Sequence, residues 1–360
     1  MGKRIPVSSI TLWFFTLFLS ACNAQLPVEP SATVLLTKPN TPIPLPTAKS
    51  TPTVTVIPTA TSSPIYCTEV EDGKLYDVVF SIPTGENGIH YEGGDVPESL
   101  RWGPAAFTIS NDGVFWIADT AGDRLLSFTS EGAFFGKIDL EGLAVGATDL
   151  VVENDVILVL DQSSFPPKVL RLTIEGDLSG SYDLPKGLYL EDGLTGIALG
   201  DQGELLVERI FGLYVTQFLN AKGDLIEKIE TTGYPHNGRL YSAYGNGPAS
   251  DNPKHGFINI GSEKIGIDTT YDLGGIQILG FGESDDFYVL IEEVVQNPAI
   301  QVFQTIRHYD IKGNLLGIAS MPLDEQYTYV VHDFAFGADG CPYALATRPD
   351  HGEILRLYFH

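Results

Sequence analysis

Several side chains that could bind a ligand stand where short apolar segments of this sequence begin. Asp149 and the pair His332-Asp333 each precede a run of apolar residues. Thr148 and Thr195 occupy the same point in two such segments. Carboxylates and an imidazole brought together could hold Ca²⁺ or another divalent cation, or a polar ligand. The alternative role is local, because Asp and Thr often hydrogen-bond backbone groups where a strand or turn begins.

Two further sets of residues could form binding surfaces. An acidic set ends a second series of apolar segments: Asp119, Asp161, Glu208, Glu292 and Glu293. These residues are either solvated acidic loops or a surface that recruits a basic protein or Ca²⁺. An aromatic set could contact a protein or a glycan, or could simply be strand residues: Tyr234, His236, Tyr241 and Tyr244.

The segments that carry these residues repeat along the chain, and the repeat predicts the fold. Each copy has a short alternating strand, a turn rich in Asp, Asn and Gly, a nearly continuous apolar strand and a third strand that ends before a glycine turn. Units of four antiparallel strands in about 40 to 50 residues are typical of a β-propeller. Five copies are recognised: Pro104–Leu140, Ala147–Leu184, Leu194–Thr231, one from about Gly274, and one from His332 to the C-terminus.

We expect an all-β propeller with six four-stranded blades, closed by its N-terminal strand. The last copy ends after its third strand at His360, and residues 72–80 match the outgoing fourth strands of other copies. The N-terminal strand should therefore complete the C-terminal blade and remove the open sheet edges. Residues 232–272 do not match the repeat. They form either a degenerate sixth blade, which we favour, or a β insertion on a five-bladed ring.

The first copy, with the sequence DGVFWIADTAGDRLLSF at residues 112–128, resembles the NHL repeat. The set of copies resembles the six-bladed NHL/SMP-30-like propeller superfamily. This resemblance implies a ligand site at the central channel. Lactonases of the SMP-30 type hold a divalent metal there on a Glu, an Asn and an Asp, and this chain lacks a matching Glu and Asn. A binding or scaffolding module is thus the first hypothesis, and a metal-dependent hydrolase or lyase is the second.

The N-terminus predicts a bacterial lipoprotein. The basic start at residues 2–4 precedes an apolar run, Ile10–Leu19, that is too short to cross a bilayer. The sequence Leu19-Ser20-Ala21-Cys22 resembles the lipobox, in which the cysteine is acylated. The alternative is an ordinary cleaved signal with an incidental cysteine. We expect a signal peptide at 1–21, lipidation at Cys22 and a location in the cell envelope, anchored on the extracytoplasmic side of the membrane.

Composition separates a linker from the folded domain. Residues 27–64 contain nine Pro and nine Thr, which favours an extended, disordered chain. Residues 22–64 are therefore expected to be a stalk, or an unselected spacer, below a propeller at 65–360. The whole chain has 21 basic and 46 acidic residues, a net charge of −25. This balance argues against a nucleic-acid partner and favours a soluble, self-repelling monomer.

Two cysteines remain when Cys22 is assigned to lipid. An even remainder outside the cytoplasm suggests a disulfide. Cys67 lies just before the closing strand, and Cys341 begins the second strand of the blade that this strand completes. A Cys67–Cys341 bond would fasten the ring closure. The alternative is a pair of unpaired buried thiols.

Replacing Cys22 by Ser should release the protein from the membrane. Each acyl CH₂ that enters the bilayer contributes about 0.8 kcal/mol, so two or three chains anchor firmly and their loss is decisive. Partition between detergent and aqueous phases measures this, with the wild type expected in the detergent phase and Cys22→Ser in the aqueous phase. A variant that stays with detergent would contradict the lipoprotein assignment.

Overall fold

The chain folds into short strands joined by turns. The computed structural model describes Cys67 and residues 74–94, 101–189, 193–245, 252–282, 285–296, 299–322, 326–337 and 339–360. The predicted signal peptide, Cys22 and the predicted stalk lie outside these residues. Two single-turn 3-10 helices, Thr120–Gly122 and Lys186–Leu188, accompany the strands. Across the described ranges, no helix has the length and apolar character needed to cross a membrane.

The strands form six antiparallel sheets of four strands each. Blade 1 contains β2 (Ala106–Ile109), β3 (Phe115–Asp119), β4 (Arg124–Phe128) and β5 (Phe134–Asp139). Blade 2 contains β6 (Ala147–Glu153), β7 (Val156–Asp161), β8 (Lys168–Thr173) and β9 (Leu178–Asp183). Blade 3 contains β10 (Leu194–Leu199), β11 (Leu205–Arg209), β12 (Tyr214–Leu219) and β13 (Leu225–Thr232).

The second half of the ring repeats this pattern. Blade 4 contains β14 (Tyr234–His236), β15 (Arg239–Gly245), β16 (His255–Ile260) and β17 (Glu263–Asp268). Blade 5 contains β18 (Asp272–Phe281), β19 (Phe287–Val295), β20 (Gln301–Tyr309) and β21 (Leu315–Ser320). Blade 6 contains β22 (Phe334–Phe336), β23 (Pro342–Thr347), β24 (His351–Leu357) and β1 (Tyr76–Pro83).

This architecture confirms the predicted six-bladed propeller. Residues 232–272 supply blade 4, so the alternative of five blades with an insertion is wrong. The closing strand is also confirmed: β1 pairs antiparallel with β24, from Tyr76 opposite Leu357 to Pro83 opposite His351. The first and last parts of the domain thus share one sheet.

Apolar residues are buried mainly between the blades. The second strands β3 and β11 are buried at every position because each lies within a blade that is covered on both faces. The outer strand β9 has no buried residue. Apolar clusters fill the spaces between neighbouring blades, and one of them joins Leu125 of blade 1 to Val159 of blade 2. The ring is therefore held by face-to-face packing of sheets as well as by strand pairing.

A disulfide joins Cys67 to Cys341, residues 274 positions apart in the chain. Their Cα atoms lie 5.3 Å apart, within the usual range for this bond. The Cys67 carbonyl also accepts a hydrogen bond from the Phe359 amide at 2.9 Å. The segment before β1 is thus fastened to blade 6, where the closing strand also pairs.

Removing this disulfide should lower the stability of the whole domain. For so long a loop, the chain-entropy model gives a loss of up to about 5 kcal/mol, or roughly 10 °C in Tm for a domain of this size. Thermal unfolding of a Cys67→Ala, Cys341→Ala double variant measures it. Cys22→Ser is the matched control and should unfold like the wild type, with an intact mass that still reports one disulfide. Equal Tm values in all three proteins would contradict the expectation.

Candidate functional site

The innermost strands of all six blades surround a cavity of about 430 Å³. Its wall takes residues from β2, β6, β10, β14, β18 and β22, so it is the central channel of the ring. Its volume lies in the range of small-molecule sites in proteins. The channel is the cavity to which the predicted site residues should belong.

The two ends of this channel differ because identically connected blades run their innermost strands in the same direction. The residues where these strands begin therefore gather at one end. That end, here called the acidic end, is formed by Asp149, Glu208, His332 and Asp333. Farther along the channel lies what we call the apolar wall, formed by Leu199, Leu279, Phe281 and Phe336.

Three β-bulges shape the acidic end. The pairing of the first and second strands skips one residue in blades 2, 3 and 5, namely Thr148, Thr195 and Gly274. A bulge bends a strand and redirects the side chains beside it, and bulges are frequent next to binding sites. In each of these blades the residue after the bulge resumes the pairing, and in blade 2 that residue is Asp149.

Asp149 joins blades 2 and 3 at the acidic end. One of its carboxylate oxygens accepts the amide of Leu150 and the other accepts the amide of Ile197, both at 2.8 Å. Burial raises the pKa of Asp149, while the nearby His332 and these two amide donors act in the opposite direction. The carboxyl thus has the local capping role that the sequence left open, and it faces the cavity as well.

His332 spans the channel from blade 6 to blades 2 and 3. Its backbone is held against blade 1, because its amide donates to the Ala105 carbonyl at 3.0 Å. Its Nε2–H donates to the Thr195 carbonyl at 2.8 Å, and Nε2 lies 3.5 Å from a carboxylate oxygen of Asp149. Burial lowers the pKa of His332, but the carboxyls of Asp149 and Glu208 outweigh it, so the pKa is raised overall.

A glycine makes the approach of His332 and Asp149 possible. A Cβ at Gly196 would lie 2.7 Å from the imidazole of His332 and 2.9 Å from the carboxylate of Asp149. Any side chain at position 196 would therefore displace one of them. Glu208 lies directly opposite Gly196 in the strand pairing.

Glu208 is a buried acid, and among the described residues the positive charge that acts on it is that of His332. It is 5% exposed, and its carboxyl is hydrogen-bonded to Tyr234, whose hydroxyl also reaches Gln277. Burial and the charge of Asp149 raise the pKa of Glu208 to about 7, in spite of the attraction of His332. Because its ordinary value is 4.5, a large part of Glu208 is protonated at neutral pH.

The fourth member of the acidic end, Asp333, behaves in the same way. Burial raises its pKa from 3.8 to about 7, against its own backbone amide and the charge of His332. Its carbonyl accepts the amide of Leu345 at 2.9 Å, which fixes the start of the innermost strand of blade 6. Two carboxyls of the acidic end therefore titrate near neutral pH.

The structure brings together three of the five predicted channel residues: Asp149, His332 and Asp333. The other two bond locally instead. The hydroxyl of Thr148 donates to the Leu160 carbonyl at 3.3 Å, and the hydroxyl of Thr195 accepts the amide of Phe211 at 3.0 Å. Thr148 and Thr195 are the residues that the strand pairing skips at two bulges. This position accounts for their side chains bonding locally and not lining the channel.

The acidic set at the ends of the second strands divides into two groups. Asp119, Asp161 and Glu293 accept backbone amides of the segment that enters their blade: His90, Val145 and Gly146, and Thr270 and Tyr271. Glu208 and Glu292 stand opposite glycines of the first strands, Gly196 and Gly275. The expectation of solvated acidic loops is wrong for Asp119, Asp161 and Glu208, which are all buried.

The members of the predicted aromatic set lie in different surroundings. Tyr234 and Tyr241 are buried, so they do not form the predicted contact surface. Tyr234 belongs to the channel instead, where Gly212 packs so closely on its ring that a Cβ there would lie 2.4 Å away. His236 lines the channel at the apolar wall, where it stacks on Phe281 with ring centroids 3.9 Å apart.

The ligand atoms of the acidic end do not converge as a metal site requires. In the described part of the chain, only Cys67, Asp339 and Cys341 bring three ligand atoms of Cys, His, Asp or Glu within 4.8 Å of one another. Two of these are the disulfide sulfurs, which are not available to a metal. A divalent cation held by Asp149, His332 and Asp333 is therefore not supported by their geometry.

The comparisons with known proteins find only weak structural likenesses. No family model and no curated protein matches this sequence. A virginiamycin B lyase from Staphylococcus aureus is 15% identical, with a TM-score of 0.40 over 71% of this chain and 94% of that one. A DUF4221 family member from Bacteroides vulgatus is 10% identical, with a TM-score of 0.45 over 79% and 98%. At such low identities and scores, nothing about activity follows.

Replacing Glu208 by Gln should stabilise the domain at alkaline pH. The folded protein holds this proton more tightly than the unfolded chain, so Glu208 costs stability as pH rises from about 4.5 through 7. The shift corresponds to about 3 kcal/mol above pH 8, or roughly 6 °C in Tm. The readout is the Tm difference from the wild type between pH 5 and pH 8.5, which should grow with pH.

The exposed Glu175 provides the matched control for this measurement. Glu175→Gln makes the same chemical change on an outer turn. Its Tm difference from the wild type should not depend on pH. A Glu208→Gln difference that is also flat with pH would show that Glu208 is ionised in both states.

Proposed function

We propose that this protein is a lipid-anchored, extracytoplasmic propeller that binds a small polar ligand in its central channel. One observation carries the proposal: a ligand-sized cavity has at one end three carboxyls, two buried and one half-buried, that no lysine or arginine of the described chain pairs with. Their single cationic neighbour is His332. Buried acids without counter-charges are costly, and a ligand that supplied hydrogen bonds or charge would remove that cost.

The placement of the domain outside the cell is supported by its N-terminal sequence. The lipobox-like Leu19-Ser20-Ala21-Cys22 and the Pro- and Thr-rich residues 27–64 are what an anchor and a stalk need. The Cys67–Cys341 disulfide fits an oxidising compartment. The NHL-like sequence of residues 112–128 supports a finer placement in the NHL/SMP-30-like superfamily, which is part of the same proposal.

Ligand binding is favoured over the alternative of a metal-dependent hydrolase or lyase. The hydrolase hypothesis requires carboxylates that converge on a metal ion, whereas the acids here are separated and partly occupied by backbone amides. The arrangement does provide hydrogen-bond acceptors, a phenol and an amide around an open volume. These are the features of a site that orients a ligand.

The test is a thermal-shift screen of the purified protein against amines, sugars and carboxylic acids. A ligand at 100 times its Kd should stabilise the wild type by about 2.7 kcal/mol. Glu208→Gln and Asp333→Asn should lose most of this shift, and Glu175→Gln should keep it. Shifts that are equal in all four proteins would place binding outside the channel and contradict the proposal, as would a complete absence of shifts.

A further inference from the structure

We infer that the ligand of the channel is an amphipathic organic cation, with an ammonium group at the acidic end and an apolar body along the apolar wall. The inference rests on the proposed function, and it names the chemical class of the ligand. It follows from the negative charge of the acidic end and from the exposed apolar surface of the apolar wall.

The charge of the acidic end favours a cationic ligand. Asp149, Glu208 and Asp333 face one imidazole, that of His332, so ionisation of all four groups leaves two uncompensated negative charges. An anionic ligand would add to this repulsion. A neutral ligand would leave the acids protonated or unpaired. An ammonium group lets them ionise, and its charge-assisted hydrogen bonds offset the free-energy cost of burying the carboxylates.

The positions of the acceptors favour an ammonium group over a metal ion. A Ca²⁺ ion needs six to eight oxygens at about 2.3–2.6 Å from one point, and the acids do not converge in that way. An ammonium group needs only two or three acceptors at ordinary hydrogen-bond distances. Glu208 offers an acceptor that is held in place through Tyr234, and the amide of Gln277 lies beside it.

The side chains of the apolar wall are more exposed than those of the apolar cores between the blades. Leu199, Leu279, Phe281 and Phe336 are only half-buried, although they lie inside the ring. Each packs on one side against a core cluster between the blades, and Phe281 also stacks on His236. The surface that remains exposed lines the cavity, where an apolar ligand body would cover it. Such surface stabilises a ligand roughly in proportion to the apolar area that is buried.

The length of the channel sets the size of the ligand. Gln277 lies beside the acidic end and Phe281 beyond it on the same strand, four residues later. At about 3.3 Å per residue, this separation is at most about 13 Å, since a bulge between Ile278 and Gly280 shortens the strand. A compact ammonium ion would fill only the acidic end, whereas a cation with a chain or a ring attached would fill both parts of the cavity.

A homologous series of n-alkylamines, from ethylamine to octylamine, tests this inference by calorimetry on the full-length protein in detergent. Affinity should rise about fourfold for each added CH₂ until the channel is filled. Alcohols and carboxylic acids of the same chain length should bind at least tenfold more weakly than the amines. The detergent blank for each amine corrects for partition into micelles.

Variants separate the two parts of the site. Glu208→Gln and Asp333→Asn should reduce amine affinity at least tenfold while the dependence on chain length stays the same. Phe281→Ala and Leu279→Ala should flatten the dependence on chain length and leave ethylamine binding unchanged. The matched controls are Glu175→Gln and Phe135→Ala, which change an exposed acid and an exposed phenylalanine on outer parts of blades 2 and 1.

Failure of the inference can be told apart from failure of the proposed function. If sugars or carboxylic acids bind and lose affinity in Glu208→Gln, the channel is a ligand site but the cation inference is overturned. If amines bind equally to wild type and to both acid variants, they bind elsewhere and the inference is overturned. If no class binds in the calorimeter or shifts the Tm, both proposals fall.

Discussion

The pairing of β1 with β24 is the interaction on which the rest of the molecule depends. Without it, blade 6 would have three strands, and β24 would present an unpaired outer edge. The pairing joins residues near the start of the domain to its last strand, so the two ends of the domain share one sheet. The Cys67–Cys341 disulfide fastens the same join covalently. Closure then fixes the positions of six innermost strands around one axis.

Ring closure also brings the acids of the acidic end together, and their burial lowers the stability of the fold. Asp149, Glu208 and Asp333 come from three different blades, and the ring forces them into one volume with His332. Burial of such acids opposes folding, yet the packing between blades is extensive enough to hold them there. A protein that keeps groups of this kind in a preformed cavity gives up stability at a place where a ligand can restore it.

Much of this could be predicted from the residues. Alternating strands and glycine turns predicted the repeat, and the incomplete last copy predicted the closing strand. The site was harder to predict. Glu208 was grouped with Asp119 and Asp161, but it stands one residue earlier in its strand, opposite Gly196. A shift of one residue turns a side chain to the other face of the sheet. The sequence predicts Tyr234 for a contact surface and not for the channel, because blade 4 does not match the repeat.

The sequence by itself determined the local elements: which segments are strands, where they turn, and that the chain can close on itself. These depend on the preferences of neighbouring residues and on a period of two, which short stretches contain. Only the tertiary structure decided which acids face the channel and which cap the backbone. That choice depends on strand register and on bulges at Thr148 and Thr195, and therefore on contacts between residues far apart in the chain. The bond between His332 and Thr195, 137 residues apart, exists only in the closed ring.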